Sequence, residues 1–130
     1  MRTYLTPKRD VDTTEVVRRV PIRGPVDLYR RDDGTHTVVA ETNDEVIDIG
    51  VRDAGVSRKG GGTSPVELAP SSQGIRVWNH GSKNTIDLKT SLGEQRLRSG
   101  ENTVVTEDGV LELGFTTEVR ITVEREQDTL

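Results

Sequence analysis

Two short runs hold the residues best suited to chemistry, Val56-Ser57-Arg58-Lys59 and Asn79-His80-Gly81-Ser82-Lys83-Asn84. Together they concentrate hydroxyl, amide and cationic groups, and neither carries a carboxylate. Ser and Asn supply neutral hydrogen bonds, while Arg and Lys supply charge-assisted ones, Arg in a planar fork that an ammonium lacks. Such a set grips an anion or a phosphorylated ligand, which is binding chemistry rather than catalysis. Arg52, in the segment leading to the first run, adds another cation. Each residue also has a plainer role open to it. Ser57 can brace its own turn through a backbone hydrogen bond, Arg58 and Lys83 can be solvated surface charges, and Asn84 can occupy a left-handed turn position.

Other chemistries find less material. There is no Cys, which removes disulfides, thiolate ligands and cysteine nucleophiles. The two histidines, His36 and His80, are too isolated to suggest a metal site or a catalytic dyad. The acids form no pair that strand alternation would force into a cleft, so the chain reads as a non-enzyme with no cofactor. Gly60-Gly61-Gly62-Thr63-Ser64-Pro65 mimics a phosphate-cradling loop, but Pro65 and a strand follow where that motif needs Lys-Ser or Lys-Thr and a helix; a flexible hairpin tip is the reading. Thr13 and Thr14, set between Asp12 and Glu15, offer a kinase acceptor context, or an ordinary solvated pair.

The elements that must position these residues are strands. Residues 65–69 and 74–78 read as two short strands closed by turn formers, so the loops before and after them are expected to share one rim at a sheet edge. Val26 to Tyr29 and Thr35 to Ala40 make a hairpin about Arg31-Asp32-Asp33-Gly34, and Glu45 to Val51 alternates again. Further strands are read at 84–88, 94–97, 102–105, 110–113 and 117–124. No window holds a 3.6-residue apolar period. Many short strands in 130 residues indicate one all-β domain, a sandwich or barrel. Aromatics make up only 3% of the chain, so Val, Ile and Leu must build the core, and the single Trp, Trp78, is expected in or near it. Residues 1–24, rich in Arg and broken by Pro7, Pro21 and Gly24, read as a poorly ordered tail with at most a short strand at Glu15 to Val20; residues 125–130 read as a second tail.

A net charge of -4 argues against nucleic acid and against an anionic membrane surface as partners. No apolar run approaches the roughly 20 residues of a membrane span, and Met1 to Lys8 lacks the apolar core of a signal peptide. A soluble, cytoplasmic protein is the expectation.

The order Glu45-Val46-Ile47-Asp48-Ile49, Val56-Ser57-Arg58, Gly74-Ile75-Arg76-Val77-Trp78-Asn79-His80-Gly81-Ser82-Lys83-Asn84-Thr85, Leu97-Arg98-Ser99-Gly100-Glu101 and Asp108-Gly109-Val110-Leu111-Glu112-Leu113-Gly114 resembles a forkhead-associated (FHA) domain over residues 25–124. That family is a two-sheet β-sandwich whose loops at one end bind phosphothreonine peptides. The resemblance implies that Ser57 contacts phosphate, that Arg58 or Lys59 adds charge, that Ser82 lies beside the phosphate and that Asn84 holds the peptide backbone. The chain departs from the pattern in three places. Where the family has a Gly-Arg pair upstream of its Val-Ser-Arg, counting back reaches Glu41-Thr42-Asn43, and Arg52 follows Gly50 at a different spacing. The family's His after the Ser is Gly60 here, and its Asn-Gly-Thr is shortened to Asn84-Thr85.

The expected function is a protein-protein interaction module that recognises phosphothreonine through Arg52, Ser57, Arg58, Ser82, Lys83 and Asn84. As in single-domain regulatory members of the family, a phosphorylated Thr13 or Thr14 would be a candidate for the chain's own site. The alternative is a degenerate FHA-like sandwich used as a structural or assembly subunit without phosphate dependence.

Overall fold

The computed structural model describes residues 2–7, 19–60, 64–81 and 84–125. Twelve strands form two six-stranded antiparallel sheets, with no helix among the described residues. In chain order they are β1 (Arg2–Pro7), β2 (Val20–Pro21), β3 (Val26–Arg30), β4 (Thr37–Glu41), β5 (Val46–Arg52), β6 (Val66–Pro70), β7 (Ile75–Asn79), β8 (Ile86–Thr90), β9 (Gly93–Leu97), β10 (Asn102–Val105), β11 (Gly109–Leu113) and β12 (Thr117–Glu124). One sheet runs β2-β1-β12-β11-β8-β9 and the other β10-β7-β6-β3-β4-β5.

Alternation does most of the positioning, because successive side chains of a strand point to opposite faces. Leu28, Leu68 and Val77 of one sheet and Leu111, Val119 and Ile121 of the other are fully buried, and they belong to one aliphatic cluster between the sheets. Charged residues take the outer faces. Lys89, for example, sits 2.9 Å from Glu112, and Arg96 sits 2.9 Å from Asp87.

Two expectations need correction. Residues 1–24 are not a tail throughout. β1 pairs with β12 over six positions, from Arg2↔Glu124 to Pro7↔Val119, and β2 closes its other side at Tyr4↔Pro21 and Leu5↔Val20. Leu5, Val20 and Ile22 are core residues. The sandwich therefore takes in residues 2–7 and 19–22 as well as 25–124; residues 8–18 and 126–130 lie outside the described residues, and Thr13 and Thr14 with them. Trp78 is also displaced. It lies on the outer face of its sheet, between the inward-facing Val77 and Asn79, and its ring stacks on that of His80 at 4.8 Å between centroids. Strand alternation gives the inward positions of β7 to Ile75 and Val77, which leaves the indole outside.

Candidate binding site

From β3 onward the odd-numbered strands run toward one end of the sandwich, so the described residues of the loops that follow them, 31–36, 53–60 with 64–65, 80–81 with 84–85, 98–101 and 114–116, gather there. Specific bonds fasten them to one another. The Asp53 amide donates to the His36 carbonyl at 2.9 Å, and the Arg30 amide donates to the Ser57 carbonyl at 3.0 Å. The Gly100 amide donates to the Asn79 carbonyl at 2.7 Å. Asn79 is fully buried, and its side chain donates to the Leu97 carbonyl at 3.1 Å while accepting from the Gly81 amide at 3.2 Å. It thereby holds the start of the second sequence run against the 98–101 loop.

Asp53 is the centre of this fastening. The residue is only 3% exposed. Its carboxylate accepts from the amides of Gly55 at 2.8 Å, Phe115 at 3.0 Å, Thr116 at 2.9 Å and Thr117 at 3.0 Å, and from the Thr117 hydroxyl at 2.7 Å. Burial opposes its ionisation, but the amides of Thr116, Phe115 and Gly55 and the Thr117 hydroxyl outweigh that and hold the carboxyl below its ordinary value. The fit requires glycine at residue 114, which has φ +58° and whose Cβ would meet the Asp53 carboxylate at 2.7 Å. Residues 53–55 and turn 114–116 are thus one locked unit.

Ser57 and Asn84 come together as the sequence implies. The Asn84 amide donates to the Gly55 carbonyl at 2.8 Å, two residues before Ser57. Both residues line one narrow crevice with Gly55, Val56, Thr85 and Gly114. Asn84 and Thr85 also border an open cleft of about 360 Å³ whose walls carry Asp87, Glu112, Glu118 and Phe115.

The cations divide. Arg58 stays at the rim, its guanidinium 3.0 Å from the exposed Asp32 carboxylate. Lys59 turns onto the outer face of the sheet, 2.8 Å from Glu41 and 3.8 Å from Asp27, with its ammonium over the Tyr29 ring. The hydrogen bond to Glu41 raises the lysine above its ordinary value, and Lys59 does not contribute to the rim. Arg52 is exposed at the end of β5, paired in register with Thr37 and without a hydrogen-bond or ion-pair partner among the described residues. Ser82 and Lys83 lie outside the described residues. His80 pairs with Glu67 at 3.0 Å on the outer face.

One cation was not singled out in the sequence. Arg30, the last residue of β3, donates from Nε to the Val56 carbonyl at 2.9 Å and from Nη1 to His36 Nδ1 at 2.8 Å. Arginine offers only donors, so His36 must present Nδ1 as an acceptor. The Nη2 group of Arg30 has no partner among the described residues. His36 itself holds φ at +59°, a turn conformation rarely taken by residues other than glycine.

No protein-family model matches this chain, and neither a curated protein nor a solved structure matches it. No helix among the described residues is long and apolar enough to cross a membrane.

Proposed function

We propose that this chain is a non-enzymatic recognition module that binds a phosphothreonine-bearing segment of a partner protein at the gathered loops. The observation that carries the reading is the tie between the two sequence runs, Asn84 to the Gly55 carbonyl at 2.8 Å, with Arg30 delivered to the same loop from β3. A hydroxyl, an amide and a guanidinium on one rigid rim are what a phosphate beside a peptide backbone needs. The rigidity matters because loops already fastened by Asp53 lose little further freedom on binding. Arg30 answers the departure from the family pattern noted above: the cation absent at Glu41-Thr42-Asn43 is supplied from a strand end. In this reading Arg30 and Arg58 meet the phosphate, Ser57 adds a neutral bond, and Asn84 lies beside the peptide backbone.

The test is calorimetric titration with a degenerate phosphothreonine peptide pool and its unmodified counterpart. Binding of the phosphorylated pool alone, weakened about 10-fold or more in Arg30→Gln through loss of a charge-assisted bond, is the expected result. Equal heats from both pools, or none from either, would remove phosphate from the account.

A further inference from the structure

Four strands lie at sheet edges: β2 and β9 in one sheet, β10 and β5 in the other. An open edge presents backbone groups that can accept another strand, and folds usually blunt it. β2 is two residues long and β10 four, and β5 meets β4 through a register shift between Thr37 and Val39. β9 is different. It pairs with β8 without interruption from Thr90↔Gly93 to Ile86↔Leu97, and it contains no proline.

The charges on β9 have a specific order. Glu94 and Arg96 share the outer face with Lys89 and Asp87 of β8, their register partners. The Lys89 ammonium is 4.0 Å from Glu94 and the Arg96 guanidinium 2.9 Å from Asp87. Leu97 is buried and Leu88 faces the core, which puts Gln95, the register partner of Leu88, on the inner side of the edge. If a second β9 is laid antiparallel to the first about Gln95, each Glu94 falls opposite the other copy's Arg96. The outer-face row then reads Asp87, Arg96, Glu94, Lys89 across the junction, with sign alternating at every step. Sliding the second strand by two residues either way sets Glu94 against Glu94 or Arg96 against Arg96. A slide of one turns outer-face side chains inward.

The backbone agrees. A two-residue hairpin loop makes its closing pair, Thr90 and Gly93, a hydrogen-bonded pair; by alternation Gln95 bonds toward β8, while Glu94 and Arg96 turn their N–H and C=O groups outward. The residues whose charges match are therefore those whose backbones are available.

We propose that β9 is a self-association edge, pairing antiparallel with β9 of a second copy about a two-fold axis at Gln95 and joining two six-stranded sheets into one. The interface is isologous, so it closes at two copies. Because the strands run in opposite directions, the two loop rims point to opposite ends of the dimer. A five-residue edge buries far less than the roughly 1,200 Å² of a standard interface, so the association is weak and concentration-dependent.

Sedimentation equilibrium on the full chain tests this. The weight-average mass should climb from 14.4 kDa toward twice that value as concentration rises. Arg96→Pro removes an outward-pointing donor that no described residue uses and should hold the mass at the monomer value. Gln95→Cys, in a chain with no other cysteine, should form a covalent dimer under mild oxidant, since facing non-hydrogen-bonded residues bring their Cα atoms to about 4.5 Å. Leu92→Cys, with its two copies roughly 20 Å apart by strand rise, should not. A mass constant at all concentrations would overturn the proposal, as would association that survives in a folded Arg96→Pro. If circular dichroism shows that Arg96→Pro does not fold, the cross-links decide, and efficient coupling at residue 92 but not 95 refutes the pairing.

Discussion

Replacing Asp53 by alanine should loosen the proposed binding rim and destabilise the whole domain. The carboxylate satisfies five donors, the amides of Gly55, Phe115, Thr116 and Thr117 and the Thr117 hydroxyl, at 2.7 to 3.0 Å. Hydrogen bonds to a charged group contribute about 1.5–3 kcal/mol each, but those in one network do not add. Breaking such a site by removing one side of it costs about 3–5 kcal/mol. Against a total stability of about 5–15 kcal/mol this is a large share, and at about 4 °C per kcal/mol it lowers Tm by roughly 12–20 °C. Asp53→Asn keeps one acceptor oxygen but turns an NH2 group toward donors, so it should recover only part of the loss. The pH dependence has a definite sign. The folded carboxyl lies below its ordinary value, so its contribution is fully present above the unfolded value of about 3.9 and is lost as pH falls through the folded one. Urea unfolding of wild type and Asp53→Asn should give a gap that is constant near neutrality and narrows in acid. A change below about 1 kcal/mol in Asp53→Ala, or a gap that does not move with pH, would refute this reasoning.

Three further outcomes follow from the same geometry. Leu5→Ala should cost about 2–5 kcal/mol in chemical denaturation, since the side chain is fully buried between the sheets; a surface-like effect would return β1 to the status of a tail. Gly114→Ala should destabilise by about 2 kcal/mol or more, because its left-handed φ and its approach to the Asp53 carboxylate both exclude a Cβ, and a thermal melt reads this directly. Asn79→Ala should cost about 1–3 kcal/mol by removing the side-chain bonds to the Leu97 carbonyl and from the Gly81 amide, and amide exchange should quicken at residues 80–81 and in the 98–101 loop.

What could be read from the sequence follows a physical divide. Period-two alternation is local, so β3, β4, β5, β10 and β12 were legible nearly residue by residue, and the all-β sandwich with them. β1 was not. Its single strongly apolar residue, Leu5, sits among Arg, Thr and Pro, and its partner Ile121 lies at the other end of the chain. Trp78 was misplaced because hydrophobicity spoke for the core while the alternation of β7, with Ile75 and Val77 inward, put it outside. In the site, Ser57 and Asn84 were legible as a pair because the β6–β7 hairpin brings its flanking loops together. Arg30 was not, since Arg30-Arg31 reads only as a turn entrance until β3 is placed beside the Ser57 loop. Asp53 gave half a signal. Asp53-Ala54-Gly55 has the form of a turn in which an aspartate caps the amide two residues on, but its donors at Phe115, Thr116 and Thr117 come from more than sixty residues away.

The central claim is that the gathered loops form one phosphate-reading rim. Amide chemical-shift mapping of the isotope-labelled chain, titrated with a phosphothreonine peptide selected from the pool and then with its unmodified form, tests this most directly. The account predicts phosphate-dependent shifts at Arg30, Gly55, Val56, Ser57, Arg58 and Asn84 and none at Ser91, Leu92 or Gln95. Shifts that are the same for both peptides, or that gather away from the Ser57 and Asn84 loops, would contradict it.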